Sequence, residues 1–325
     1  MEAKLVSYII PVYNVSAYIE RCAKSLFTQT YGDIEFIFIN DCSTDDSEVK
    51  LRKVIELFPN VQCRVKIISN KTNLGSATTR NIGLSNATGD YVMFADSDDW
   101  VESNYVESMV NTIEASEKDI VYCDYYESFK DQDKYVKQDY GEEHLECICS
   151  MLTRAMHGST CNKIFRRKIL LQSNLTFVDG ADLFEDVGWN VRLFAYTNRI
   201  GYLPLAFYHY IQYNDNSIIK SMSSAVFSRK RALQRIENVR VACEYLTSLG
   251  LEGRLSIGMK EWKLMAKNDL IDEKDDSSLQ TWVETFPEAD SAILACNKIT
   301  WKYKLLLICL HYRVYWLYHL LQKIR

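Results

Sequence analysis

Five short runs rich in β-branched and aromatic residues alternate with helix-spaced segments over the first 126 residues of the chain. The runs are VSYIIPV (6–12), EFIFIN (35–40), VKIIS (65–69), YVMFA (91–95) and DIVYCDYY (119–126). Between the first two, Ile19, Cys22, Ala23, Leu26 and Phe27 recur at helical spacing, with Ser16 placed to cap the start. Between the next two, Leu51, Val54, Ile55 and Phe58 do the same after the cap-rich DCSTDDS. Strands separated by helices are returned in the same direction by each crossover, so they build a mostly parallel sheet covered on both faces. The fold class read from this pattern is α/β.

In such sheets ligands sit beyond the carboxyl ends of the strands. The polar residues at those ends are Tyr13 and Asn14, Asn40 and Asp41, Asn70 and Asn73, then Asp96 and Asp98. YVMFADSDDW turns from an apolar strand straight into three carboxylates, Asp96, Asp98 and Asp99. Any one of them alone reads more readily as an acidic turn in water than as a holder for a cation and the anion bound to it. Four successive strands aiming hydrogen-bonding groups at one edge favour the site.

The 325 residues carry a formal charge of −5, without the basic excess that nucleic-acid binding usually shows. An anionic ligand must therefore be held by a local arrangement. Ten cysteines lie scattered, several in apolar runs (Cys22, Cys123, Cys243, Cys309), and Cys147 and Cys149 lack zinc-type spacing. Reduced core thiols are expected. MEAKLVSYIIPVYN lacks the pattern of a secretion signal, and no run of 18 apolar residues occurs. The expected compartment is the cytosol.

The middle of the chain opens with ESFKDQDKYVKQDYGEEHLE, which reads as a surface excursion. In DGADLFEDVGWNVRLFAYT, Val187, Asn190, Val191, Phe194 and Ala195 mark one helix face, which puts Glu185 and Asp186 at the helix start. RIGYLPLAFYHYIQY reads as a strand pair, with His209 a core residue. From about 216 the signal is helical: Leu233, Ile236, Val239, Cys243 and Leu246 repeat, and Gly250 fits a stop. The last 25 residues mix aromatics with Lys302, Lys304, Arg313, Lys323 and Arg325. They suit either a helix in a membrane interface or one packed on the core.

With SYIIPVYN, QTYGDIEFIFINDCSTDDS, NLGSATTRNIGLSNATGDYVMFADSDDW and FEDVGWN, the chain resembles the family 2 glycosyltransferases, which have the GT-A type nucleotide-diphospho-sugar transferase fold. The resemblance is close over residues 5–105 and looser to about 215. It implies a catalytic domain over 1–215, with a nucleotide-sugar half at 1–105 and an acceptor half at 106–215, followed by a helical region at 216–325. It implies transfer of a sugar from a UDP-sugar to a saccharide or lipid-linked saccharide in surface polysaccharide synthesis, with inversion; the interfacial reading of 301–325 would add peripheral contact with the inner face of the cell membrane. Pro11, Val12, Tyr13, Asn14, Asp41, Asn73, Arg80, Asp96 and Ser97 match the donor-binding positions. Tyr13 would stack on the pyrimidine, Asp41 accept the uracil N–H, Arg80 offer a donor fork to base or phosphate, and Asp96 hold a ribose hydroxyl. Asp98 would hold Mn²⁺ or Mg²⁺ at the diphosphate, and Asp186 would be the base.

Three departures stand out. Asn40 replaces the first of two acids, TTRN replaces ARN, and Ile211 stands where the family often has an arginine. A dinucleotide site is excluded, because it needs a glycine-rich turn after the first strand and the first glycine is Gly32. A phosphotransferase with an aspartate nucleophile would carry its acids near the N-terminus. The remaining rival is a sugar-nucleotide-binding or assembly subunit without turnover, against which Asp96, Asp98 and Asp186 argue.

Overall fold

The structure, a computed structural model, describes residues 4–214, 229–271 and 276–323. The first half runs β1 (Val6–Val12), α1 (Ile19–Phe27), β2 (Ile34–Asn40), α2 (Ser47–Glu56), β3 (Val65–Ser69), α3 (Ser76–Asn86) and β4 (Tyr91–Phe94). β1 pairs in parallel with β2 and β4, and β2 with β3, giving the order β3-β2-β1-β4. The order reverses between β1 and β4, which makes their carboxyl ends a topological switch point. α1 buries the five residues expected of it. Ser16 does not cap it: Tyr18 is the cap residue, and the Ser16 N–H donates to Asp45 instead.

The second half adds β5 (Trp100–Val101), α4 (Tyr105–Ala115), β6 (Ile120–Ser128), β7 (Asp133–Val136), α5 (His144–Leu152), β8 (Lys163–Arg166), α6 (Arg167–Ser173), α7 (Glu185–Tyr196) and β9 (Ile200–Ile211). Among the described residues all nine strands share one sheet, continued from β4 by β8, β6, β9 and β5. One sequence expectation is corrected here, and a second gains detail. The stretch read as a strand pair is the single strand β9, parallel to β6, whose two register slips around Asp124 take up the extra residues Pro204, Leu205 and Phe207. The stretch read as a surface excursion contains β7, fastened to β6 because the buried Asp124 accepts hydrogen bonds from Tyr135, Tyr202 and the Gln138 N–H.

The C-terminal part is helical: α8 (Arg229–Ser248), α9 (Glu252–Asn268), α10 (Asp276–Glu284), α11 (Trp301–His311) and α12 (Tyr315–Lys323). The expected division at 215 falls at the edge of residues outside the described ones. Packing changes later: Val239, Cys243, Leu246, Met259 and Trp262 of α8 and α9 belong to the core that covers the sheet, whereas Trp282, Leu307, Leu310 and Tyr318 form a second core.

The final segment is two helices rather than one. Leu306, Leu307 and Tyr318 point inward, and Lys304 is buried with its ammonium donating to the Leu294 carbonyl at 2.6 Å. Trp301, Tyr312 and Trp316 stay 65%, 69% and 70% exposed. Arg325 lies outside the described residues. No described helix is long and apolar enough to cross a membrane. All ten cysteines are unpaired.

Candidate active site

At the end of β1, Tyr13 is 47% exposed on the rim of the sheet. Pro11 is half-buried and Val12 fully buried, so these two contribute backbone and shape. Asn14 adopts φ +50° and accepts the Thr44 N–H at 2.8 Å, tying the β1 end to the β2 end. Asn40 keeps hydrogen bonding without the charge, accepting the Ser43 N–H at 3.0 Å and donating to Glu48 at 2.5 Å. Asp41 is buried, and its oxygens accept from Asn70 and from the Leu74 and Gly75 N–H groups at 2.8–2.9 Å. In this state Asp41 orders the loop before α3, and that loop holds Asn73 exposed on the rim.

α3 begins at Gly75, whose φ of +86° and close approach exclude a side chain. A Cβ there would lie 2.2 Å from an oxygen of Asp182, which itself accepts the Ala77 N–H at 3.0 Å. This contact brings the segment leading into α7 against the start of α3. The next turn delivers Arg80, only 4% exposed. Its Nη2 lies 2.8 Å from Asp96, and its Nη1 lies 2.8 Å from Glu185 and 3.5 Å from Asp186. Adjacent helical residues diverge by about 100°, which by itself would point the two acids in different directions. Both reach the guanidinium, because the longer Glu185 folds back to it and to the Ser76 hydroxyl at 2.8 Å.

Asp186 differs from Glu185 in what it leaves open. One of its oxygens accepts the Thr160 N–H at 3.4 Å; the other is buried without a hydrogen-bond donor. Burial raises its carboxyl above the ordinary range, Arg80 opposes the rise, and the charge of Asp96 adds to it. Burial and the neighbouring Asp186 raise Glu185 likewise. Burial works against the charge on Arg80, but Asp186, Asp96 and Glu185 outweigh it and hold the guanidinium protonated.

The start of α7 is set from outside. Phe184, its N-terminal cap residue, has φ +63°, a strained conformation for a bulky side chain. Its ring stacks on Trp262 of α9 at 6.3 Å, and the guanidiniums of Arg235 of α8 and Arg154 lie 4.3 and 5.5 Å from its centre.

The acids of ADSDDW separate by role. Asp99 turns inward and is fully buried, accepting the Tyr208 hydroxyl at 2.5 Å and the Ile211 N–H at 2.8 Å, so it pins β9 to the sheet end. Asp96 keeps a third of its side chain exposed, and Ser97 is buried beside it. Asp98 accepts the Asn214 amide at 2.7 Å, and its carbonyl accepts from Arg21 at 3.1 Å. Burial and the charge of Asp96 raise its carboxyl. A hard oxygen donor whose ionised form is disfavoured by a neighbouring carboxylate suits a divalent cation. Among the described residues no cluster of three or more acids, histidines or cysteines encloses such an ion. An ion held through Asp98 would thus complete its shell with water and phosphate oxygens, as magnesium-type sites do.

His209 does not stand in for the arginine that Ile211 replaces. It is sandwiched between Trp100 and Tyr126, with its nitrogens on Glu102 and Ser128, each at 3.0 Å. Sequence reasoning missed Arg21, Tyr208 and Lys163. Of these only Tyr208 carried a usable signal, since strand alternation puts it on the face opposite His209.

The profile of Glycosyl transferase family 2 matches residues 7–172. EpsH of Bacillus subtilis, a presumed glycosyltransferase, is 32% identical over 242 residues, covering 72% of this chain and 68% of EpsH. Two further curated relatives are matched over 62% and 36% of their own lengths. Staphylococcus aureus TarS 1–349, solved in complex with UDP-GlcNAc, superposes with TM-score 0.62 at 19% identity, over 98% of this chain and 90% of that one. A Pyrobaculum calidifontis mannosyltransferase in complex with GDP-Man and Mn²⁺ gives TM-score 0.55 at 15% identity, over 99% and 85%. At such identities the two structures speak for the shared fold.

Proposed function

The chain belongs to glycosyl transferase family 2, and we propose that it transfers a sugar, with inversion, from a UDP-sugar to a hydroxyl of a saccharide or lipid-linked saccharide. The observation that supports this reading is the Asp186 oxygen that accepts no hydrogen bond and lies 3.5 Å from Arg80, whose other nitrogen pairs with Asp96. A carboxylate able to accept a proton and the acidic end of β4 are thus held on one guanidinium. The preference for uridine draws on the family resemblance and on TarS, which shares the fold and is seen with UDP-GlcNAc.

In this reading the uracil stacks on the exposed Tyr13 ring, and the loop ordered by Asp41 closes over the base. Asp96 takes the ribose hydroxyl, and Asp98 holds Mn²⁺ or Mg²⁺. When bound, that ion stabilises the charge gathering on the departing diphosphate. The acceptor hydroxyl attacks the anomeric carbon from the far side and passes its proton to Asp186. The new carbon–oxygen bond forms as the bond to the diphosphate breaks, and the electron pair leaves with UDP. Arg80 holds the three carboxylates in fixed positions and leaves Asp186 one oxygen that accepts no hydrogen bond.

The catalytic unit proposed is residues 1–215, with the helices beyond it as support. Trp301, Tyr312 and Trp316 are exposed near Arg313 and Lys323, and no Asp or Glu follows Asp290 in the sequence. This composition supports peripheral contact with an anionic leaflet, where a lipid-linked acceptor would lie. The test is release of UDP from a panel of UDP-sugars with Mn²⁺ and saccharide acceptors. Donor binding with no release from any of them would favour an assembly subunit without turnover.

A further inference from the structure

Lys163, the first residue of β8, is fully buried and has no part in the reaction just described. β8 runs antiparallel to β4, with Ile164 opposite Met93, so Lys163 sits beside the end of the strand that leads into Asp96. Its ammonium donates to the His157 carbonyl at 3.3 Å, the Ser159 carbonyl at 2.5 Å and the Asn162 side-chain oxygen at 2.9 Å. All three acceptors belong to one turn, residues 157–162, so a single charge ties that turn together.

The same turn grips α7 at two points one helical turn apart. The Thr160 N–H donates to Asp186 at 3.4 Å, and the Gly158 carbonyl accepts from Asn190 at 2.8 Å. Gly158 fits there only because it lacks a side chain: a Cβ would lie 2.4 Å from a Val187 methyl. We propose that Lys163 is a positioning residue for Asp186, its ammonium both fixing the turn that orients the carboxylate and supplying a second positive charge that favours the ionised form. The proposal rests on the reading of Asp186 as the base.

The charged and titratable groups around the pair are few. Asp186 faces Arg80 from α3, Asp96 from the end of β4, the Cys161 thiol from the turn, Glu185 from its own helix, and Lys163. Lys163 faces Asp186, His157, and the thiols of Cys123, Cys147 and Cys161. Burial pushes the three thiols up, and burial with the nearby ammonium pushes His157 down to about 3, so all four are neutral. Lys163 itself is lowered by burial to about 8, with Asp186 acting against the fall. The charge of Lys163 in turn acts to lower the Asp186 carboxyl, without a direct ion pair between the two.

Lys163→Met, Lys163→Gln and Lys163→Arg test this, each assayed for UDP-dependent thermal stabilisation and for kcat as a function of pH, with Asp186→Asn run beside them. Removing the positive charge raises the Asp186 carboxyl, so the acid limb of kcat moves to higher pH, by about one unit, in the Met and Gln variants. UDP binding is kept, and Lys163→Arg retains the wild-type limb. The Gln variant removes the charge but keeps a hydrogen-bond donor, and serves if the Met variant fails to fold. A uniform fall in kcat with the limb unmoved, or loss of fold in both neutral variants, makes Lys163 structural only and overturns the proposal. Full turnover by Asp186→Asn instead overturns the base assignment, and this inference with it.

Discussion

Asp96 and Glu185 share one guanidinium, each carboxylate 2.8 Å from a different nitrogen of Arg80. One acid follows β4, and the other opens the helix that carries the proposed base. An ionic bridge with a buried centre therefore joins the sheet end to the start of α7.

Arg80→Lys is expected to break that bridge, because one ammonium cannot reach both acids with separate nitrogens. Leaving a buried carboxylate without its partner costs about 3 kcal/mol. Urea denaturation should show a loss of that order, together with loss of turnover. Wild-type stability in the Lys variant would mean that the acids find other partners.

Asp98→Ala is expected to abolish transfer and the metal-dependent part of stabilisation by UDP. A chelator should have the same effect on the wild type. Thermal shift with UDP, with and without Mn²⁺, measures it. Full turnover in excess chelator would remove the metal from the reading.

Asp186→Asn should keep donor affinity while turnover falls by roughly 10²–10⁴-fold. Glu185→Gln should act chiefly through Arg80 and leave more activity. Because burial raises the Asp186 carboxyl, the wild-type rate should fall as pH drops through a value above the usual carboxylate range of about 4. The linkage to stability has the opposite sense: a carboxyl held more protonated when folded loses stability as pH rises past its unfolded value. Asp186→Asn should therefore melt at or above the wild-type temperature at neutral pH. A marked drop in melting temperature would make Asp186 a structural acid.

Trp301→Ser with Trp316→Ser should reduce sedimentation with anionic vesicles, and added salt should weaken binding of the unchanged protein. If the wild type never sediments with them, the exposed rings have another role.

The strands of the nucleotide half were legible because parallel strands buried on both faces read as unbroken apolar runs, and the rim residues follow from where those runs stop. The acids at 185 and 186 were legible as a helix start, but their sharing of Arg80 was not. That contact depends on side-chain length and on Asp182 meeting Gly75, neither of which has a periodicity. Asp99 shows the limit most plainly. It is one residue from Asp98 in the same acidic turn, and only the position of Tyr208 on a distant strand decides that it faces the core. Lys163 was hidden for a similar reason, since two of its three partners are backbone carbonyls, which any sequence supplies.

Phe184 combines a left-handed backbone with a ring set against Trp262 and Arg235, and those belong to helices beyond the sheet. Anyone recombining this chain with a relative at the end of β9 would carry away the base without the clamp that aims it. Such a chimera should still take up nucleotide at Tyr13 and Asp98 and yet turn over poorly. The smallest portable catalytic piece therefore extends through α9 to Asn268, and sequence exchanged between α8 and α9 becomes a means of tuning rate without touching a residue of the cleft.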